Sequence, residues 1–160
     1  MKLNDILNQF HILKCVDAEI IKEFQADGVL RVALIEYSKR TKNRAFAIEL
    51  VNTFIVTRRQ AIGVVTVEDL MFACFNLALQ NQIEDCLKIW EAKNIDFDTY
   101  CGLDVQLMPF AGVTETIEFL KLQKNADAEK ALLYIVKCNN CGDFNHQHEY
   151  FSPDILPWFL

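Results

Sequence analysis

The stretch Asp69–Asp96, DLMFACFNLALQNQIEDCLKIWEAKNID, is answered further along the chain by Gly102–Asp127, GLDVQLMPFAGVTETIEFLKLQKNAD. Sliding one onto the other by 33 positions places Leu70 on Leu103, Ala78 on Ala111, Leu87 on Leu120 and Lys88 on Lys121, with Ile89 opposite Leu122. The pattern predicts two helix–turn–helix units joined by a connector, IDFDTYCGLD, at Ile95–Asp104. In the first unit Leu70, Ala73, Cys74 and Leu77 make the inward stripe of one helix. Asn81 marks a tight turn, and Ile83, Leu87 and Trp90 make the next stripe, closed by Lys93 and Asn94. In the second unit Leu107–Ala111 reads as a short helix interrupted by Pro109. Thr114 is placed to cap a helix over Glu115–Gln123, with Ile117, Leu120 and Phe119 inward.

Upstream, Thr66 followed by Asp69 supplies a capping signal for the first unit, and Gly63 breaks the pattern before it. Val64, Val65 and Val67 form an apolar run too short for a strand without a partner. Arg44–Arg59 is a helix with Ala47, Leu50, Val51, Phe54 and Ile55 on one face, reached through a polar, basic turn at Ser38–Asn43. Val29–Tyr37 carries a stripe of Leu30, Ala33, Leu34 and Tyr37. Asp17 caps a helix with Ile20, Ile21 and Phe24 inward, which Gly28 is placed to end; Asn4 or Asp5 caps the first helix, with Ile6, Phe10 and Leu13. Downstream, Asp127 caps Ala128–Cys138, with Leu132, Ile135 and Val136 inward, and Gly142 stops it. In the tail FSPDILPWFL, Ser152-Pro153 signals a single turn, and the apolar residues after it are expected to dock on the body. The expectation is a single all-α domain over residues 1–160, with about eight helices in antiparallel pairs stacked as a short solenoid. Its repeat-like core lies at 67–122 and its docked tail at 150–160.

Composition agrees with helices. Apolar residues make up 52%, including 12 Phe, whereas 5 Gly and 3 Pro are too few for a turn-rich β sandwich. The formal charge of −6 argues against nucleic acid as a direct ligand, which needs a basic footprint, and suits a basic protein partner. No apolar stretch approaches the roughly 20 residues that span a bilayer. Met1–Leu13 lacks the apolar core and cleavage site of a signal peptide. A cytoplasmic location follows as the expectation, with the six cysteines as reduced thiols and Cys74 and Cys86 as small core residues.

The paired units resemble ankyrin repeats: Leu70–Leu79 as first helix, Gln80–Gln82 as turn, Ile83–Ala92 as second helix and Ile95–Leu103 as connector. Asn94-Ile95-Asp96 looks like the end of one such unit and Gly102-Leu103 like the start of the next; the likeness covers about a third of the chain. The family's opening Thr-Pro-Leu-His is replaced by VEDL at Val67–Leu70 and GLDV at Gly102–Val105, and its turn glycine by Asn81. An array similar to HEAT repeats fits the same pattern, and both imply an extended surface that binds proteins. In size, acidity and its apolar tail the chain also resembles bacterial immunity proteins of polymorphic-toxin and contact-dependent growth inhibition systems. That resemblance implies a non-enzymatic antitoxin that binds one cognate toxin domain, often a basic nuclease, and occludes its active site.

Three constellations bear on chemistry. Cys138-x-x-Cys141 followed by His146 and His148 supplies the donors of a zinc site, although the histidines sit closer together than zinc ligands usually do. A helix-end cysteine facing its neighbours is the competing reading. Asp96, Asp98 and Asp104 cluster as hard oxygen donors but do not match a calcium loop. They read either as helix caps or, with Tyr100 as aromatic anchor, as the contact surface for a basic partner. Glu115 and Glu118, one turn apart in a first helical turn, join that surface or serve the helix dipole. Lys39, Arg40, Lys42, Arg44, Arg58 and Arg59 make a basic patch that reads as a solvated turn. No nucleophile elbow or phosphate-cradling loop is present, so no catalytic residue, cofactor or metal is assigned. The expected binding residues are therefore Asp96, Asp98, Tyr100, Asp104, Glu115 and Glu118.

Overall fold

A computed structural model describes residues 1–61 and 63–160. Among these the chain is all-helical, with α1 (Leu3–Leu13), α2 (Ala18–Ala26), α3 (Gly28–Arg40), α4 (Arg44–Gln60), α5 (Val67–Ala78), α6 (Cys86–Lys93), α7 (Phe97–Gly102), α8 (Val113–Leu122), α9 (Ala126–Cys141) and α10 (Gln147–Tyr150). Single 3-10 turns occupy Ile83–Asp85 and Val105–Leu107. All but α7 and α10 run for eight residues or more, and no described helix is long and apolar enough to cross a membrane.

The centre of the molecule is α5. Every residue from Asp69 to Ala78 is buried, because VEDLMFACFNLA is apolar on all sides rather than along one stripe. Around it pack α3, α4, α6, α7 and the turn Val105–Leu107. The C-terminal segment closes another side: Phe151 stacks on Phe75 at 5.3 Å, and Phe159, buried, meets the same ring edge-on at 6.0 Å. The α8–α9 hairpin lies further out, and α9 reaches α6 where Trp90 and Tyr134 approach to 5.4 Å.

Several local signals act as expected. Thr66 and Asp69 form a reciprocal capping box, Asp17 caps α2, Asn81 takes φ 57° in its turn, and Gly142 ends α9 at φ 86°. Others move. The first helix is entered at Lys2 with Asp5 in its first turn, and Leu13 is exposed. Gly28 begins α3, while Asp27 ends α2 and caps its successor. Asn125 takes the cap of α9 two positions before Asp127. Gly112, at φ 114°, replaces Thr114 as the entry to α8, a backbone conformation that favours glycine. The buried face of α6 is Cys86, Ile89, Trp90, Ala92 and Lys93, so Leu87 sits at its edge. The helix expected at Leu107–Ala111 is only the 3-10 turn Val105–Leu107 followed by further turns, since Pro109 cannot donate to a helical ladder. Tail residues Ser152–Asp154 likewise form no helix.

Three arginine–aspartate pairs fasten α3 and α4 to the starts of later helices. Arg31 pairs with Asp69 in the first turn of α5 and donates to the Phe24 carbonyl at 2.6 Å. Arg44 grips Asp85 with two bonds, 2.7 and 2.9 Å, at the start of α6. Arg58 grips Asp96 with two bonds, 2.7 and 3.0 Å, at the start of α7. The basic patch read as a solvated turn thus contributes two of these forks, and Arg58 is buried.

Candidate functional site

The connector Ile95–Asp104 folds as the short helix α7, and the chain around it fixes both of its ends. At the start, the Asp96 side chain accepts from Thr99 N at 2.9 Å, while Thr99 Oγ1 accepts from Asp96 N at 3.0 Å. The same carboxylate holds the Arg58 fork, and Arg58 Nη1 donates onward to the Val65 carbonyl at 2.6 Å. Hydrogen bonding to Arg58 keeps the Asp96 carboxyl below the usual carboxylate range, and the same bond raises the guanidinium.

At the far end Lys93, only 1% exposed, donates through Nζ to the carbonyls of Tyr100 (2.7 Å) and Leu103 (2.6 Å). Its ammonium also lies 5.6 Å from the Tyr100 ring centre and 5.4 Å from that of Tyr134. A cation at a helix C-terminus satisfies carbonyls that have no helical partner. Burial pushes the Lys93 pKa down.

Held in this way, α7 turns Phe97 (79% exposed), Asp98 and Tyr100 (43% exposed) to solvent. Tyr100 packs at 5.7 Å against Tyr134 of α9. Asp98 stays only 3.9 Å from Arg58 but leaves most of its side chain in water.

The six expected binding residues therefore divide. Asp98 and Tyr100 share the outer face of α7. Asp96 is taken up by Arg58, and Asp104 accepts from Tyr150 Oη at 2.9 Å and Trp158 Nε1 at 3.2 Å, which ties the C-terminal segment to the body. Glu115 and Glu118 are exposed on α8, which packs against α9 and the turn Ile83–Asp85. Asp96 caps α7, one of the two readings of these aspartates, and both Asp96 and Asp104 are engaged within the fold.

The zinc donors are not brought together. Cys138 is buried at the end of α9, Cys141 is exposed, and His146 and His148 stand in solvent, with His146 beside Glu149 at 3.2 Å. Among the described residues no group of three or more His, Cys, Asp or Glu side chains is disposed to hold a metal ion.

Sequence reasoning missed Arg58 and Lys93, the two cations that build α7, and Phe97 beside Tyr100. Arg58 reads as part of a basic patch and Lys93 as the close of a stripe; the Arg58 partner lies 38 residues away, and the carbonyls that Lys93 meets, seven and ten residues on, carry no side-chain signal. Nothing local marks Phe97, next to the Asp96 cap, as outward, since Val67, next to the Thr66 cap of α5, packs on the core. Comparison of the chain with protein-family models, curated proteins and solved structures finds no match.

Proposed function

We propose that this chain is a non-enzymatic protein-binding module that engages a basic protein partner through the outer face of α7, and that it acts in the cytoplasm as an immunity protein neutralising a cognate toxin. The observation that carries the reading is the exposure of Phe97 and Tyr100, 79% and 43%, one turn apart beside Asp98. Large aromatic side chains in water on a helix fastened at both ends are preformed anchors, and interface energy concentrates in such residues. Asp98, with the overall charge of −6, favours encounter with a basic surface, and Glu115 and Glu118 extend the acidic field. In this reading Asp96 and Asp104 position the surface without touching the partner. Repeat-like stacking of Val67–Lys93 with the segment ending in α8 belongs to the same proposal, supported by the packing of α8 on Ile83–Asp85.

The test is affinity capture from the native cell extract with wild-type protein and with a Phe97→Ala/Asp98→Lys variant. Wild type is expected to retain one basic protein stoichiometrically, with retention falling as salt rises. The variant should lose it while keeping the wild-type circular dichroism spectrum, with a modestly lower melting temperature because a lysine at position 98 would face Arg58. Recovery of no basic protein by wild type, or equal recovery by the variant, rejects the reading.

A further inference from the structure

Beside α7 lies a groove whose charge is opposite to that of the chain as a whole. Trp90, Tyr100, Leu133 and Tyr134 line it, Asn94 closes one end, and Lys130 and Lys137 stand on its rim. Leu133 is 72% exposed, so the groove has an apolar wall facing water. On α9 the two lysines bracket Leu133 and Tyr134 along one helical face, seven residues apart (137 − 130), or roughly 10 Å along the axis. A third ammonium, that of Lys93, lies buried against the Tyr100 and Tyr134 rings.

None of the residues lining this groove is a carboxylate. Acidic groups border it. Glu91 is paired with Lys88 and Arg59, whereas Asp104, bonded to the neutral donors Tyr150 and Trp158, keeps its charge. Asp127 lines the adjoining hollow with Arg59, Glu91 and Lys130 itself, so Lys130 serves both surfaces and Lys137 this one alone. Asp143 acts on Tyr134 and Cys138 from beyond the end of α9. Lys130 and Lys137, with no carboxylate in the lining between them, give the groove a basic edge in a chain of net charge −6.

We infer that this groove binds an acidic segment of a protein partner, with an aromatic or branched aliphatic side chain of the segment seated against Tyr100 and Tyr134 and flanking carboxylates on Lys130 and Lys137. Spacing favours a peptide over a small anion, since two carboxylates roughly 10 Å apart are needed to meet both lysines. The ring faces suit it too: an ammonium already occupies one side of each tyrosine, so the open side is poorly placed to recruit a second cation. This surface carries the opposite charge preference to the Phe97–Asp98 face and shares Tyr100 with it, but Phe97 and Asp98 are not among its lining residues.

The experiment is selection from a displayed library of random dodecapeptides on the full chain, repeated on a Lys130→Glu/Lys137→Glu variant. Both lysines are exposed, so the variant should unfold at the wild-type temperature. Enriched peptides are expected to carry at least two acids around an aromatic or aliphatic residue and to bind the variant about tenfold or more weakly. The Phe97→Ala/Asp98→Lys protein should bind them as wild type does, which separates this site from the basic-partner surface. Enrichment of neutral or basic peptides, equal binding to the variant, or no enrichment overturns the inference. So does a wild-type dimer in sedimentation that Lys130→Glu/Lys137→Glu dissociates, because a second copy would then be the occupant.

Discussion

Replacing Asp96 by Ala removes two interactions at once. One is the N-cap of α7, worth about 1 kcal/mol in the usual range of cap deletions. The other is the counter-charge of Arg58, which is 4% exposed and would retain only the Val65 carbonyl and the largely solvated Asp98 at 3.9 Å. Stranding a buried charge costs about 3–5 kcal/mol. Asp96 itself is 23% exposed, so water can reach part of the vacated space. The lower end of that range together with the cap gives an expected total loss of about 4 kcal/mol. For a chain of this size that lowers the melting temperature by roughly 8–16 °C. Arg58→Met leaves Asp96 ionised, capped and partly in water, and should cost about 1–2 kcal/mol. The double variant should then cost less than the sum of the singles by about 1–2 kcal/mol. Urea unfolding followed by circular dichroism measures all three. A loss at Asp96→Ala no larger than the cap alone, with an additive double variant, would refute the assignment of Arg58 as its buried partner.

Two further outcomes follow from burial and charge. Because Arg58 holds the Asp96 carboxyl below its ordinary value, its stabilising effect is complete above the unfolded-state pKa of about 3.9 and is lost as pH falls through the lower folded value. Wild type should therefore lose stability more steeply than Asp96→Asn below about pH 4, as read by urea midpoints across that range; parallel profiles would exclude the linkage. Cys74 and Cys86, their thiols pushed up to about 12 by burial, should resist a thiol-disulfide reagent in the native protein, whereas exposed Cys15, Cys101 and Cys141 react at once. Counting thiols released before and after denaturation checks it, and rapid native reaction at either buried position would contradict the packing of α5 or α6.

What was legible in the sequence is what is decided within one or two helical turns. The caps at Asp17 and Thr66, the turn at Asn81, the stop at Gly142 and the inward face of α4 all depend on neighbours three or four residues away. Leu87 and Thr114 were misplaced because alternative faces and caps one or two residues off are locally almost equivalent, and tertiary packing chooses between them. The site was legible only in part. Tyr100 and Asp98 do face outward, but the same alternation of acid and aromatic gives no sign that Asp96 is claimed by an arginine 38 residues upstream. Nor does it show that Asp104 is claimed by Tyr150 and Trp158 near the other end. A 33-residue similarity in Leu and Ala likewise says where helices recur, yet Pro109 reduces one of the four expected helices to a turn.

The placement of α5 has a consequence for how the protein is made. A segment apolar on every side, in mid-chain, leaves the ribosome with only α1–α4 available to cover it. Its remaining surface waits for α6, α7 and Leu107, and finally for Phe151 and Phe159, the last of which is 81 residues beyond Ala78 (159 − 78). At ordinary translation rates that interval lasts roughly 4–16 s. Until Tyr150 and Phe151 emerge, Phe75 has none of the rings that close over it, so the nascent chain presents a sticky helix that holding chaperones would recognise. Native burial of α5 is completed by Phe151 and Phe159, so its final packing waits until those residues have left the ribosome.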